Sequence, residues 1–154
     1  MLGCGLRPVY VATAQALDAE MAERIARHRQ RRGAAWRTIE EPMALPEILR
    51  AEIGPERAVL VDCLTLWLTN QMVAGHEPGP ACDRLLASLE APAGPVVLVS
   101  NEVGLGVVPL DPMSRAFVDH AGRLHQRLAA RADWVQLMAA GLPLELKRPN
   151  PCTC

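Results

Sequence analysis

The sequence predicts an α/β fold, and three observations carry that expectation. Apolar runs of strand length alternate with amphipathic stretches of helix length, the order expected of βα units around a mostly parallel sheet. The chain has 154 residues, enough for one domain with a real core. Half of its residues are hydrophobic, 21% are charged and the net charge is −1, which argues against bulk disorder and against a surface that seeks nucleic acid.

The elements follow in order. The first strand is predicted at 8–13 (PVYVAT), where Pro8 leads into Val9, Tyr10 and Val11. Helices are expected at about 16–32 and 43–53, then a strand at 58–62 (AVLVD), and helices at 64–73 and 80–90. Residues 75–80 (GHEPGP) and 91–95 (APAGP) read as loops, and 95–100 (PVVLVS) as a strand. The clearest helix spans about 111–131: Asp111 is its N-cap, Pro112 takes the first helical position, and Phe117, Ala121, Leu124 and Leu128 recur on one face. Strands at 133–138 (DWVQLM) and 142–147 (LPLELK), separated by a turn at Gly141, predict an antiparallel hairpin. The tail 148–154 (RPNPCTC) is Pro-rich and reads as a disordered end rather than a Cys-x-Cys metal clip.

The five cysteines are odd in number and scattered, no apolar run reaches membrane-spanning length, and no charged segment followed by an apolar one opens the chain. These features predict a cytoplasmic location. Trp36, Trp67 and Trp134 read as core or core-edge residues, and His76, His120 and His125 receive no role.

In a parallel sheet, ligands bind beyond the carboxyl ends of the strands. Asp62 closes AVLVD, where an acid either helps to hold Mg²⁺ with a nucleotide or caps the next helix. The next strand runs into VSNEVGLGVVP, 99–109, a segment too apolar for an ordinary exposed loop. Its Glu102 is a candidate second carboxylate, paired with Asp62 if the two strands are neighbours; the alternative is a structural turn with the acid in solvent. The helix after the first strand carries six arginines between Arg24 and Arg37. His28 continues the stripe Leu17, Met21, Ile25, which reads as a core-edge position. Against that, Arg24 and Arg32 lie one turn away on either side and disfavour protonation, leaving a neutral, nucleophilic imidazole among guanidinium groups that bind phosphate. A merely solvated basic face remains the other reading.

Taken in order, VATAQALDAEMAERIARHR, WRTIEEP, VLVDCLTLWLTN, LVSNEVGLGVVP and DHAGRLHQRLAARAD resemble the bifunctional adenosylcobinamide kinase / adenosylcobinamide-phosphate guanylyltransferase family of cobalamin biosynthesis, over nearly all of residues 8–147. The resemblance implies a P-loop-type nucleotide-binding sheet, three-layered with helices on both faces. It also implies a covalent GMP-histidine at His28 that passes GMP from GTP to adenosylcobinamide phosphate. Nucleotide contacts are implied for Ala12, Thr13, Ala14, Arg29, Gln30, Arg31, Arg32, Glu40 and Asp62, with Mg²⁺ brought by GTP or ATP and met by Asp62. The implied assembly is a homotrimer with no nucleic-acid partner and no membrane span.

Family members open with a strand and a glycine-rich GGxRSGKS loop that cradles phosphates. This sequence has neither, and its single lysine is Lys147. The expectation is therefore a truncated nucleotide-binding domain over 1–147 that lacks a βα unit of roughly thirty residues. Gly3–Gly5 would then be residual linker, and the sheet interrupted or rearranged where the first strand belongs. His125 stands where relatives usually carry Asn. A catalytically inactive relative acting as a binding or assembly protein is the alternative to an enzyme, and a basic-helix nucleic-acid binder is a third reading.

Overall fold

The computed structural model describes residues 5–148; Gly3 and Cys4 of the expected linker and nearly all of the tail 148–154 lie outside the described residues. The chain folds as β1(Arg7–Ala12), α1(Ala19–Arg32), β2(Arg37–Glu40), α2(Leu45–Glu52), β3(Arg57–Asp62), α3(Leu64–Val73), α4(Pro78–Ala87), β4(Val96–Val99), α5(Pro112–Arg131), β5(Val135–Ala139) and β6(Leu142–Lys147). Four strands form a parallel sheet in the order β2-β1-β3-β4, and β5 and β6 pair antiparallel as a separate two-stranded sheet. The predicted α/β class and terminal hairpin are both present. β4 is thus an edge strand of the parallel sheet, and the hairpin is not hydrogen-bonded to it.

Two elements differ from expectation. β2 lies in a stretch to which sequence patterning assigns no element, because Arg37, Thr38 and Glu40 surround a single apolar Ile39. An edge strand exposed along most of its length carries almost no apolar signal. α4 starts at Pro78, inside the predicted loop 75–80, since proline is well suited to the first turn of a helix.

Strand periodicity sorts the sheet into two unequal faces. Val9, Val11, Val59 and Val61 point to one side and join Leu45 and Leu49 of α2, Leu64, Trp67 and Leu68 of α3, Leu85 of α4, and Ala121 and Leu124 of α5 in the main core. Trp67 is fully buried and its indole N–H donates to the Met43 carbonyl at 3.0 Å. Right-handed crossovers carry α1 to the other side. That face holds Tyr10, Ala12, Thr38, Glu40, Leu60, Asp62, Val97 and Val99; α1 reaches it only through Arg29 and Arg32 near its end and buries no residue of its own. The apolar cluster therefore lies almost wholly on one side of the sheet, while the other mixes Tyr10, Thr38, Glu40 and Asp62 with Leu60 and the exposed Val97 and Val99.

Of the three tryptophans, Trp67 is core and Trp36 packs edge-on against Tyr10 with ring centroids 6.1 Å apart. Trp134 departs from expectation: it is 55% exposed, because it precedes a hairpin that packs little of its surface. No helix among the described residues is long and apolar enough to cross a membrane.

Candidate active site at the carboxyl edge of the sheet

Parallel register sets the site. Ala12 aligns with Glu40 on one side and with Asp62 on the other, and Asp62 aligns with Val99. Three of the sequence-predicted residues thus stand in one row at the carboxyl ends of adjacent strands, on the thinly covered face.

Asp62 does not cap α3. The N-cap position is Cys63, and it has no side-chain cap bond. Instead the Asp62 carboxylate accepts the hydroxyl of Tyr10 through Oδ2. Tyr10 is buried at 7% exposure, and its phenol is pushed well above the ordinary tyrosine range, first by burial and then by the bond to Asp62. The Arg32 guanidinium lies 3.6 Å from the centre of the Tyr10 ring, a cation–π contact, and its Nη1 donates to the Thr38 hydroxyl at 3.4 Å.

The helix α1 is capped by Asp18, whose Oδ1 accepts from the Met21 N–H at 2.7 Å. One turn from its end, Arg29 forms an ion pair with Glu40 at the last position of β2. With Arg32 at the level of Thr38 and Arg29 at the level of Glu40, the helix rises past the end of the sheet, by about 1.5 Å per residue. His28 sits at that exit, and the first turns of α1 stand beyond the strands.

His28 is exposed, which corrects the core-edge placement. The stripe it was expected to continue is only partly covered, with Met21 and Ile25 half-buried and Leu17 80% exposed. Arg32 turns to Tyr10 rather than to the imidazole. Glu20, Arg24, Arg27 and Arg31 instead wall a shallow recess of about 300 Å³ that includes His28. Gln30 is exposed on the same helix. Arg37, the last of the basic run, points elsewhere and pairs with Glu52 at 2.7 Å.

Thr13 is 0% exposed, and its hydroxyl serves the backbone: it donates to the Cys63 carbonyl at 2.7 Å and accepts the Cys63 N–H at 2.8 Å. The Thr13 carbonyl receives the Asn70 amide at 2.9 Å. These bonds lock the turn after β1 to the turn after β3, which holds Ala12 and Asp62 level. Ala14, next in the chain, is half-buried.

Glu102 turns to different partners from those expected. Its Oε1 accepts the Gly104 N–H at 2.6 Å and its Oε2 lies 3.7 Å from His125 Nδ1, so its contacts are with its own loop and α5 rather than with Asp62. The apolar loop after it is open to solvent, with Val107 95% exposed. Sequence reasoning missed Tyr10, whose place in a β-rich run concealed its polar end, and His125, which lies 25 residues beyond the Ser100 it bonds.

The profile described as cobinamide kinase / cobinamide phosphate guanyltransferase matches residues 2–146. The chain belongs to this family. The bifunctional adenosylcobalamin biosynthesis protein CobP of Pseudomonas aeruginosa is 53% identical over 145 residues, covering 93% of this chain and 84% of the relative. The CobU proteins of the same description from Salmonella typhimurium and Escherichia coli are 40% and 38% identical over 162 residues, covering 96% of this chain and 90% of each relative. In this cobinamide kinase / cobinamide phosphate guanyltransferase chain, Glu40, Ala12 and Asp62 share one row at the carboxyl edge of the sheet.

Proposed function

We propose that this cobinamide kinase / cobinamide phosphate guanylyltransferase transfers GMP through His28. The imidazole nitrogen attacks the α-phosphorus of GTP; a P–N bond forms, the bond to the bridging oxygen breaks and pyrophosphate leaves with the electron pair. A phosphate oxygen of adenosylcobinamide phosphate then attacks the same phosphorus, the P–N bond breaks, and the free imidazole returns. In the companion reaction the hydroxyl of adenosylcobinamide attacks the terminal phosphorus of a nucleoside triphosphate; an O–P bond forms, the bond to the bridging oxygen breaks, nucleoside diphosphate leaves and the hydroxyl proton is released.

The observation that supports this reading is the Arg29–Glu40 pair, which ties the residue next to exposed His28 to the last residue of β2, in the row that also includes Asp62. Arg24, Arg27 and Arg31 line the same recess and supply cations for a polyphosphate. Arg29, Gln30, Arg32, Ala12, Thr13, Ala14 and Glu40 complete the proposed nucleotide contacts, with Thr13 acting through the turn it secures.

A magnesium ion is implied with the nucleotide. One carboxylate oxygen of Asp62 holds Tyr10, which leaves the other available. This suits an ion bound through one carboxylate and the substrate phosphates. Asp62 would hold it, and the charge it supplies would offset that of the phosphates. The resemblance further supports a homotrimer in the cytoplasm, and the buried free thiols of Cys63 and Cys82 suit a reducing compartment.

Incubation with GTP labelled at the α-phosphate tests the reading. An acid-labile adduct on the wild-type chain that is absent from His28→Ala is expected. A label that survives in His28→Ala overturns the assignment, and no adduct at millimolar nucleotide favours an inactive relative that serves as a binding or assembly protein.

A further inference from the structure

We propose that Ser100, His125 and Glu102 form a second chemical centre, an activated serine that takes acyl groups from small carboxylic esters. Ser100 immediately follows β4, and its Oγ lies 2.6 Å from Nε2 of His125 on α5. On the far side of the ring, Nδ1 faces Glu102 Oε2 at 3.7 Å. A hydroxyl held against one imidazole nitrogen, with a carboxylate toward the other, is the arrangement that turns serine into a nucleophile.

The surroundings hold each member in place. In the tautomer whose Nε2 accepts from Ser100, the ring carries its proton on Nδ1, the nitrogen 3.7 Å from Glu102 Oε2. Glu102 is itself fixed by the Gly104 N–H on its other oxygen. Asn101, between the two, donates to the Thr65 hydroxyl at 3.2 Å and so anchors the start of the loop. His125 is half-buried, with 22% of its side chain exposed, which limits competition from water while leaving access. An acyl chain also has somewhere to go. Val103, next in the chain to Glu102, lines a recess of about 190 Å³ together with Val107, Val108, Val118, Arg115 and Asp119. Val118 lies two turns before His125 on the same side of α5.

The step balances without a co-reactant other than water. Ser100 Oγ attacks the ester carbonyl carbon and its proton passes to His125 Nε2. Collapse of the tetrahedral intermediate breaks the bond to the alcohol oxygen, which leaves with that proton. Water, deprotonated by His125, then releases the carboxylic acid and restores the serine.

The test uses the full chain with a fluorophosphonate, which forms an Oγ–P bond as fluoride leaves, and with p-nitrophenyl butyrate, both read by mass spectrometry of the labelled peptide. One equivalent of label on Ser100 is expected. Ser100→Ala should lose it, His125→Asn should react about 100-fold more slowly, Glu102→Gln should fall between, and His76→Ala should match wild type. Thermal melts of each variant confirm that the fold persists. Label confined to other residues, label unchanged in Ser100→Ala, no label on the folded wild-type chain, or His125→Asn reacting at the wild-type rate each overturns the proposal.

Discussion

The Tyr10 hydroxyl donates to the Asp62 carboxylate across the β1–β3 pair, from a position whose direct partner in register is Leu60, two residues earlier on the same face. This diagonal contact holds the acid at the end of β3 toward the α1 face instead of letting it fold back on α3. It also ties the protonation of one residue to the orientation of the other.

Tyr10 is the only tyrosine in the chain, so its ionisation can be followed directly by tyrosinate absorbance. Burial and the bond to Asp62 raise its pKa in the fold above its value in the unfolded chain. The contribution is therefore fully present below the ordinary tyrosine pKa, about 10, and is lost as pH rises through the folded value. Alkaline titration should show tyrosinate appearing only above the ordinary range, together with loss of structure. Tyr10→Phe should lose less stability than wild type between pH 8 and pH 11, both taken as rough bounds around that reference. A normal tyrosine titration in the folded protein contradicts the geometry.

The Arg29–Glu40 pair is half-exposed on both sides and contributes little to stability, about 0–1 kcal/mol. Its importance is positional. Glu40→Gln should leave the unfolding midpoint nearly unchanged while slowing formation of the His28 adduct about tenfold, since a misplaced reacting group costs rate steeply. Equal adduct rates in the two proteins would show that α1 is held by other contacts.

Thr13→Val removes both hydroxyl bonds to Cys63 and leaves its N–H and carbonyl buried without those partners. A loss of about 2–6 kcal/mol is expected, from roughly 1–3 kcal/mol for each of the two stranded groups. Thr13→Ser keeps the hydroxyl and should recover most of it. Urea unfolding with an unchanged slope is the measurement, and a Val variant as stable as wild type contradicts the double bond.

Asp111 caps α5, accepting the Ser114 N–H at 2.7 Å, and that bond holds its carboxyl below the usual aspartate range. A depressed pKa stabilises above the unfolded value and ceases to do so as pH falls through the folded one. Asp111→Ala should therefore melt below wild type near neutrality, and the gap should close in acid. A gap that persists or widens at low pH contradicts the assignment.

Much of this molecule is already legible along the chain. Runs of valine and leucine declare β1, β3 and β4, Asp111 and Pro112 declare the start of α5, and Gly141 declares the hairpin, because element type is written in spacings of two and 3.6 residues. The family motifs point to His28 and Asp62 for the same reason: each is a local pattern. β2 escaped because RTIE has one apolar residue, and His28 was misplaced because a helical stripe says which residues share a face but not whether anything packs on it.

Only the folded chain decides which faces meet. The crossovers that order the strands β2-β1-β3-β4 bring Glu40, Ala12 and Asp62 into one row, send α1 alone to the Tyr10 side, and join Tyr10 to Asp62 and Ser100 to His125 across gaps of 52 and 25 residues. Such contacts arise from register and packing between distant segments, and no periodicity within a single segment encodes them.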